Sequence, residues 1–258
     1  MDKIHFIYRY LIHLFTAKNT RGHGIHSPFL FSFIQEVIYE KNPFYSFSSI
    51  EELRKKLLND KSILDITDFG AGQKYQATVS NIARTSLKSK KWSQMLFRSV
   101  NFLRAEKVLE LGTSLGISAA YMASVNSGIC CVTLEGASEI ADVAQGNFEK
   151  LNLQNIKIIT GNIDETLSQA LLDLGTVDFA FFDANHRRKP TLDYFHYCLQ
   201  YITEKSVFVF DDIYWSKEMT QAWQAIKQEP SVTSTIDLFQ MGIVFFNKRL
   251  PKKNYKMR

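Results

Sequence analysis

Residues 107–123 combine the residue types and the spacing of a ligand-binding turn. A short apolar run, typical of a buried strand, is followed by Gly112 and Gly116 and then by a helix of small residues. Glycine lets the backbone approach a ligand closely, and the N–H groups at the start of a helix can donate to it. Glu110 stands two residues before the first glycine and would suit a ligand with an ammonium group. The alternative is that the glycines only tighten a strand–helix turn.

The glycine spacing argues against a dinucleotide site. That fingerprint requires G-x-G-x-x-G, whereas position 114 is Ser114. A nicotinamide-dependent oxidoreductase is therefore the weakest alternative. A second acid, Glu135, ends the apolar run 129–134 and stands twenty-three residues after Gly112. A carboxylate at the end of a second strand can accept both hydroxyls of a ribose, or it can simply lie at a helix N-terminus.

A third group of acids follows two further apolar runs. Asp183 and His186 come after the fourth predicted strand, and Asp211 and Asp212 come after the fifth. Because the carboxyl ends of parallel strands meet at one edge of a sheet, we expect these side chains to lie close together. Three carboxylates would repel one another, and a hard divalent cation such as Mg²⁺ would relieve that repulsion. In the alternative, one aspartate caps a helix and the other two face water.

Two of these stretches together resemble a known family. Glu110-Leu-Gly112 with Gly116, followed by Thr133-Leu-Glu135-Gly, is similar to the first two motifs of the class I S-adenosylmethionine-dependent methyltransferases. The likeness extends over residues 92–246 and is strongest toward the catechol and caffeoyl-coenzyme A type O-methyltransferases. It implies S-adenosylmethionine as the cofactor, with the turn after the third strand next to the adenine. The cofactor-binding residues that it implies are Glu110, Gly112, Thr113, Gly116, Ser118, Glu135, Gly161, Asn162 and Asp183.

The same resemblance implies roles for the acids after strands four and five. The catechol-type enzymes place metal ligands there, an Asp after strand four and an Asp-Asn pair after strand five. The matching residues are Asp183, Asp211 and Asp212, so that Asp replaces the final Asn. Those enzymes use a lysine three residues after the strand-four Asp, and that position is His186 here. Histidine titrates near neutrality and could remove the acceptor's proton. The implied catalytic residues are therefore His186 and Asp183, although His186 could also be a solvent-facing residue.

The resemblance thus implies O-methylation of a hydroxyl on a small molecule, assisted by Mg²⁺ or another divalent cation that lowers the pKa of the bound hydroxyl. An RNA methyltransferase of the same fold, such as one acting on tRNA, is one alternative. A non-catalytic binding protein on this fold is another. The sequence does not name the methyl acceptor, and a homodimer is compatible with it.

The alternation of strands and helices after residue 107 predicts an α/β fold. We expect a Rossmann-like seven-stranded mixed sheet, its last strand antiparallel, with helices on both faces. Residues 1–80 are predicted to form a helical N-terminal cap, residues 81–248 the S-adenosylmethionine-binding methyltransferase domain, and residues 249–258 a basic tail.

Within the cap, helical spacing predicts helices over residues 4–15 and 50–59 and a third that begins at Pro28. The loop before Pro28, residues 22–28, contains two histidines but no nearby carboxylate or cysteine. We therefore interpret it as a structural loop or a substrate lid, not as a metal site. Residues 63–72 imitate a strand–glycine turn and are predicted to be a loop that leads into a helix over residues 77–86.

The charge of the chain is concentrated at one end. The formal net charge is +5, and residues 248–258 contain six Lys or Arg and no acid, so the rest of the chain is close to neutral. A frayed, solvated tail is the favoured interpretation, and an anchor for RNA or an anionic surface is the alternative. The apolar runs are too short to span a bilayer. Three cysteines without metal-ligand spacing indicate a reduced, cytoplasmic protein.

Overall fold

The computed structural model describes residues 3–68 and 73–258. The helices are α1 (Lys3–Thr16), α2 (Pro28–Phe33), α3 (Phe47–Asn59), α4 (Val79–Ser86), α5 (Lys90–Leu103), α6 (Ile117–Ala123), α7 (Ser138–Lys150), α8 (Ile163–Leu174), α9 (Arg188–Cys198) and α10 (Lys217–Gln228). The strands are β1 (Ile63–Asp68), β2 (Gln73–Thr78), β3 (Lys107–Leu111), β4 (Cys130–Glu135), β5 (Ile156–Thr160), β6 (Val177–Phe182), β7 (Ile202–Asp211), β8 (Ser234–Asp237), β9 (Met241–Phe245) and β10 (Lys253–Lys256).

The fold is α/β with a mostly parallel central sheet, as predicted, but the sheet has eight strands instead of seven. The additional strand is β10, which lies in the basic tail and pairs in parallel with β8. Tyr255 and Met257 are buried, because alternate side chains of this segment point inward. The expectation of a frayed, solvated tail is therefore wrong.

The described residues group into two compact units. One unit is residues 41–175, and the other is residues 1–40 together with residues 176–258. The domain boundaries expected at residues 80 and 248 stay a prediction.

In the unit of residues 41–175, β3, β4 and β5 pair in parallel, with Leu109 opposite Val132 and Leu134 opposite Ile159. These strands are rich in β-branched and aliphatic residues, as expected for strands covered on both faces. The short helix α6 that follows β3 is buried along its whole length. Helix α3 confirms the helix expected over residues 50–59.

The loop expected over residues 63–72 is wrong for the residues that the structure describes. β1 and β2 form a separate antiparallel pair, with Leu64 opposite Ala77, and among residues 63–67 only Ile66 is buried. Residues 69–72, which contain the glycines of the imitation motif, lie outside the described residues. The helix expected from residue 77 begins at Val79, because the Thr78 hydroxyl accepts a hydrogen bond from the Asn81 N–H and caps α4.

In the other unit, β6 and β7 pair in parallel, and β9 is antiparallel to both β7 and β8. The helices expected over residues 4–15 and from Pro28 are confirmed as α1 and α2. The Ser27 hydroxyl accepts from the Leu30 N–H at the start of α2, which continues as a π-helical turn over Ile34–Ile38. β9 is the seventh strand of the central sheet along the chain, and its antiparallel direction confirms the expectation for the last of seven strands.

A buried carboxylate joins four parts of this unit. His13 Nδ1 of α1 lies 3.3 Å from Asp237 Oδ1 of β8, and the Tyr214 hydroxyl donates to Asp237 Oδ2 over 2.5 Å. Trp223 Nε1 of α10 donates to the same oxygen over 3.3 Å. Burial alone would raise the pKa of Asp237, but the contacts with His13 and Tyr214 outweigh it and hold that pKa below its usual value. The charged carboxylate therefore holds α1 against β8 and α10.

None of the helices in the described ranges has the length and the apolar composition that crossing a bilayer requires.

Gly242 of β9 is predicted to be intolerant of a side chain. A Cβ at this position would lie 2.6 Å from the ring of Trp223, which is fully buried on α10. We expect Gly242→Ala to lower the free energy of unfolding by about 1–3 kcal/mol, because the ring must move within a packed core. Urea denaturation measures the difference.

Gly146→Ala is the matched control. Gly146 lies inside α7, and nothing stands within 4 Å of the position of its Cβ. Since alanine favours a helix over glycine, this substitution should raise the free energy of unfolding by about 0.5–1 kcal/mol. Equal effects of the two substitutions would contradict the proposed packing of Trp223 on β9.

Candidate functional site

The glycine turn (residues 112–116) is held against β4 by its backbone. The N–H groups of Gly112 and Thr113 both donate to the Leu134 carbonyl, over 3.0 and 3.1 Å. Gly112 has φ +98° and Gly116 has φ +83°, which are conformations that favour glycine. A Cβ on Gly116 would also lie 2.6 Å from the Phe148 ring of α7. The local fold therefore requires both glycines, whether or not they also bind a ligand.

Glu110, the predicted acid before the glycine turn, is completely buried. Because β3 and β4 pair in parallel, Glu110 stands opposite Thr133, whose hydroxyl donates to Glu110 Oε2 over 2.6 Å. The Thr113 hydroxyl lies 2.6 Å from that of Thr133 and extends the chain of polar groups to the glycine turn. Glu110 Oε1 is buried and has no hydrogen-bond partner among the residues that the structure describes. A buried acceptor of this kind is unusual in a folded protein and calls for a partner from outside.

The electrostatics of Glu110 follow from its burial. Burial raises the pKa of this carboxyl to about 7, while the hydroxyls of Ser118 and Thr133 lower it and the nearby charge of Glu135 raises it. A cationic ligand group beside Oε1 would favour the ionised form. No sequence motif marks Thr133 as the partner of Glu110. The parallel pairing of two consecutive strands is the signal that places the two residues opposite each other.

Glu135 lies at the end of β4 and contacts the glycine turn directly. Its Oε2 accepts from the Ser114 N–H over 2.8 Å, and its Oε1 accepts from the Ala137 N–H over 3.1 Å. A carboxylate has about four acceptor sites, so each oxygen can accept a further hydrogen bond. The predicted ribose contact is chemically compatible with this geometry.

The turn after β5 serves the backbone as well. Gly161 has φ +140°, and its N–H donates to the Glu135 carbonyl over 2.8 Å. The side chain of Asn162 accepts from the Asp164 N–H over 3.1 Å and caps α8. This cap explains an asparagine at position 162 without a ligand, and the contact with adenine stays a prediction. Of the predicted helix residues, Ser118 of α6 is 7% exposed.

A cavity of about 560 Å³ in the same unit lies away from these residues. Its lining includes Ser46, Ser124 and Asn155, at the start of α3, the end of α6 and the segment before β5. None of the predicted cofactor residues lines this cavity.

In the unit that contains β6 and β7, three predicted residues come together. Phe182 and Phe210 pair at the ends of the two strands, so Asp183 and Asp211 follow at the same edge. One ligand atom from each of Asp183, His186 and Asp211 lies within 4.8 Å of the others, and His186 Nε2 is 3.7 Å from Asp183 Oδ1. We call these three residues the carboxylate–histidine cluster.

Asp212, predicted as the third metal ligand, is not one of this cluster. Its backbone has φ +51°, and its carbonyl accepts from the Trp215 N–H. The third member of the cluster is His186, for which the sequence indicates a role in proton transfer. A histidine three residues after an aspartate is compatible both with a shared ligand site and with a base that removes a proton, and the sequence does not distinguish the two.

The aromatic residues after the acidic pair differ from each other. Tyr214 is buried and belongs to the core through its bond to Asp237, whereas Trp215 is 37% exposed. Of these two rings, therefore, only that of Trp215 is exposed enough to stack on a flat ligand beside the acids.

Known proteins resemble this chain over the segment that contains the glycine turn and the carboxylate–histidine cluster. A family model described as "Methyltransferase domain" matches residues 109–213, from β3 to the end of the acidic pair. A protein-L-isoaspartate O-methyltransferase from Methanococcus aeolicus is 33% identical over 86 residues, which is 33% of this chain and 36% of that protein. The chain thus spans about a third of the length of this curated relative.

Solved structures share the fold over a longer span. An O-methyltransferase from Bacillus cereus in complex with SAH is 20% identical, with a TM-score of 0.57, over 83% of this chain and 96% of that one. The O-methyltransferase TomG from Streptomyces achromogenes, in complex with SAM, is 15% identical with a TM-score of 0.59, over 83% and 93%. A caffeoyl-CoA O-methyltransferase structure from Staphylococcus aureus, described as that of a putative enzyme, is 15% identical with a TM-score of 0.57, over 65% and 88%. At these identities the likeness concerns the fold. Residues 109–213 thus match a methyltransferase-domain model, and the chain shares the fold of these O-methyltransferase structures, which agrees with the fold that the resemblance implies.

Proposed function

We propose that this protein transfers a methyl group from S-adenosylmethionine to a hydroxyl oxygen of a small molecule. The observation that carries the proposal is the buried carboxylate of Glu110, which has one oxygen without a partner in the described chain and lies next to the glycine turn. Glu110 lies within the segment that matches the methyltransferase-domain model, which supports S-adenosylmethionine as the ligand of this carboxylate. The solved neighbours that contain SAM or SAH support the same cofactor.

The cofactor has the groups that these side chains fit. Its methionine part contains an ammonium group, which would pair with Glu110 and satisfy Oε1. Its ribose contains two hydroxyls, which would donate to the two oxygens of Glu135. The cofactor, when bound, supplies a methyl group on a positively charged sulfur. The protein supplies orientation, because the acceptor oxygen must lie in line with the bond that breaks, and alignment alone lowers the barrier by several kcal/mol.

The donor set of the carboxylate–histidine cluster fits a divalent cation. Two carboxylates and one imidazole, their ligand atoms within 4.8 Å of one another, can share a single ion. Mg²⁺ prefers oxygen ligands alone, whereas an imidazole ligand suits transition metals. The replacement of Asp212 by His186 in the cluster therefore favours a transition metal over the predicted Mg²⁺.

Such an ion, when bound, lowers the pKa of a hydroxyl that coordinates it. Asp183 and Asp211 would orient that hydroxyl, and Asp211 is 3% exposed and firmly placed. If His186 does not hold an ion, its position beside Asp183 suits a general base that removes the hydroxyl proton.

The tail gives the RNA alternative no flexible basic arm, because it is folded. Lys252 donates to the carbonyls of Glu229 and Val232, and Lys256 donates to the Thr16 hydroxyl. These lysines hold β10 in place, and β10 itself is paired with β8. Nucleic acid as a partner, a homodimer and a cytoplasmic location stay predictions.

Glu135→Gln tests the ribose contact. We expect S-adenosylhomocysteine to bind about 10- to 100-fold more weakly in calorimetry, because hydrogen bonds to a charged acceptor contribute about 1.5–3 kcal/mol. The control is Glu139→Gln, which changes a half-buried carboxylate at the start of α7 and should leave binding unchanged. Wild-type affinity in Glu135→Gln would remove the ribose assignment.

The affinity for S-adenosylhomocysteine should depend on pH through Glu110. The pKa of about 7 leaves this carboxyl protonated at lower pH, and the proton must leave before the ammonium group can pair with it. We expect the dissociation constant to rise about tenfold for each pH unit below 7 and to level off above it. Calorimetry between about pH 5.5 and pH 8.5 measures the dissociation constant over about 1.5 pH units on either side of that pKa.

Glu110→Gln is the control for this titration. It cannot ionise, so its affinity should be low and nearly constant over the same pH range. A wild-type profile without a slope below pH 7 would show that Glu110 does not pair with the ammonium group.

Metal binding is expected to require His186. Wild-type protein should bind Mn²⁺ more tightly than Mg²⁺, and His186→Asn should weaken Mn²⁺ binding about tenfold or more, since it removes the imidazole ligand. The electron paramagnetic resonance signal of free Mn²⁺ measures the occupancy. Asp193→Asn on α9, whose carboxylate is exposed and paired with Lys189, is the control. If Mn²⁺ at millimolar concentration does not bind, the base function of His186 remains.

A further inference from the structure

Helix α1 exposes a continuous apolar surface. Ile4, Ile7, Tyr8, Leu11 and Phe15 follow the spacing i, i+3, i+4, i+7 and i+11, which places them on one face of a helix. All five are exposed, Ile4 by 83% and Phe15 by 82%. We call this face the apolar stripe. Single exposed apolar residues are ordinary, but a whole helix face of them marks a surface that contacts something.

The apolar stripe cannot turn inward, because the opposite face of α1 is already packed. His13 is buried and accepts or donates a 2.7 Å hydrogen bond with the Met257 carbonyl, in addition to its contact with Asp237. The rings of Phe6 and Tyr10 pack at 5.0 Å from that of Phe239. The helix is thus fixed with its apolar stripe outward.

Positive charges border the apolar stripe. Helix α1 contains no acidic residue. Near its C-terminal end, four exposed or half-exposed cations come together, which we call the basic edge: Lys18, Arg21, Lys256 and Arg258. The residues at the end of β10 contact the end of α1. Arg258 donates to the Leu14 carbonyl, and Lys256 donates to the Thr16 hydroxyl. The Asn19 N–H donates to the Lys256 carbonyl. The acceptors of these bonds are neutral, so the charges of Lys256 and Arg258 are not compensated by them.

We propose that α1 lies on the surface of an anionic membrane, with the apolar stripe among the lipid headgroups and the basic edge on their phosphates. An amphipathic helix with aromatic and aliphatic residues on one face and cations beside it binds such interfaces. Tyr8 and Phe15 are residue types that favour the interfacial region. A second copy of this chain is a poorer occupant, because its α1 contains no acidic residue that could pair with the basic edge. RNA is poorer as well, because it offers nothing to five apolar side chains.

Vesicle flotation of the full-length chain tests the proposal. Wild-type protein should float with vesicles of phosphatidylcholine mixed with phosphatidylglycerol and bind phosphatidylcholine vesicles much more weakly. Ile7→Ser with Leu11→Ser should reduce binding to the mixed vesicles by more than about tenfold, because it removes apolar contact area. Lys18→Gln with Arg21→Gln should reduce it several-fold and make it less sensitive to salt.

Leu172→Ser is the matched control, because Leu172 is a 66% exposed leucine on α8, outside the apolar stripe. It should bind the mixed vesicles as the wild type does. A Tyr8→Trp variant adds a direct measurement, since its fluorescence should shift to the blue and be quenched by brominated lipids. Thermal unfolding of every variant should match that of the wild type, because each of these positions is at the surface.

Three results would overturn the proposal. The first is a wild type that does not float with the mixed vesicles. The second is a concentration-dependent dimer in sedimentation that the Ile7→Ser and Leu11→Ser changes dissociate, which would identify a second copy as the occupant. The third is binding of an RNA that is unaffected by those two changes while vesicle binding is absent.

Discussion

One carbonyl oxygen, that of Leu134, determines the geometry of the proposed cofactor site. It accepts hydrogen bonds from two successive N–H groups, those of Gly112 and Thr113, and so fixes the glycine turn to the end of β4. The same strand ends in Glu135, which accepts from Ser114 in that turn. The shape of the proposed site is therefore set by hydrogen bonds between two neighbouring strands and the glycine turn, and these bonds also place the side chains that we propose as ligand contacts.

Two buried carboxylates show how similar burial gives opposite results. Asp237 is surrounded by His13, Tyr214 and Trp223, and its pKa lies below the usual value because these contacts outweigh burial. It is a structural charge that joins α1 to the rest of its unit. Glu110 is just as buried, but one of its oxygens has no partner among the described residues, and its pKa is raised. A strongly shifted and incompletely paired group is the usual mark of a functional position.

The local pattern of the sequence was enough for most of the fold. Apolar runs, glycines and a capping serine predicted β3 to β9 and the helices α1 and α2, because these features act within a few residues. The β1–β2 pair was missed because only Ile66 is buried among residues 63–67, so that this segment lacks the alternation that would indicate a strand. β10 was missed because the six Lys and Arg residues of positions 248–258 dominate the composition of this segment, while the buried side chains are those of Tyr255 and Met257.

The positions of the candidate site residues can be located from the sequence where a strand end or a motif marks them, and their roles stay predictions. Glu110 and Glu135 stand at strand ends, and strand ends can be located from the sequence. The choice between His186 and Asp212 depends on the path of two loops, and the positive φ of Asp212 is not encoded in a recognisable pattern. Asn162 illustrates a different limit, since a helix cap and a ligand contact require the same residue type.

The contact between His13 and the Met257 carbonyl joins positions that are 244 residues apart. Because a chain is synthesised from its N-terminal side, α1 is made before Asp237 and Met257, the residues that hold it in place. Contacts with so large a sequence separation form slowly, because the entropy cost of closing the intervening loop comes before the contact stabilises the chain, so we expect α1 to dock late in folding.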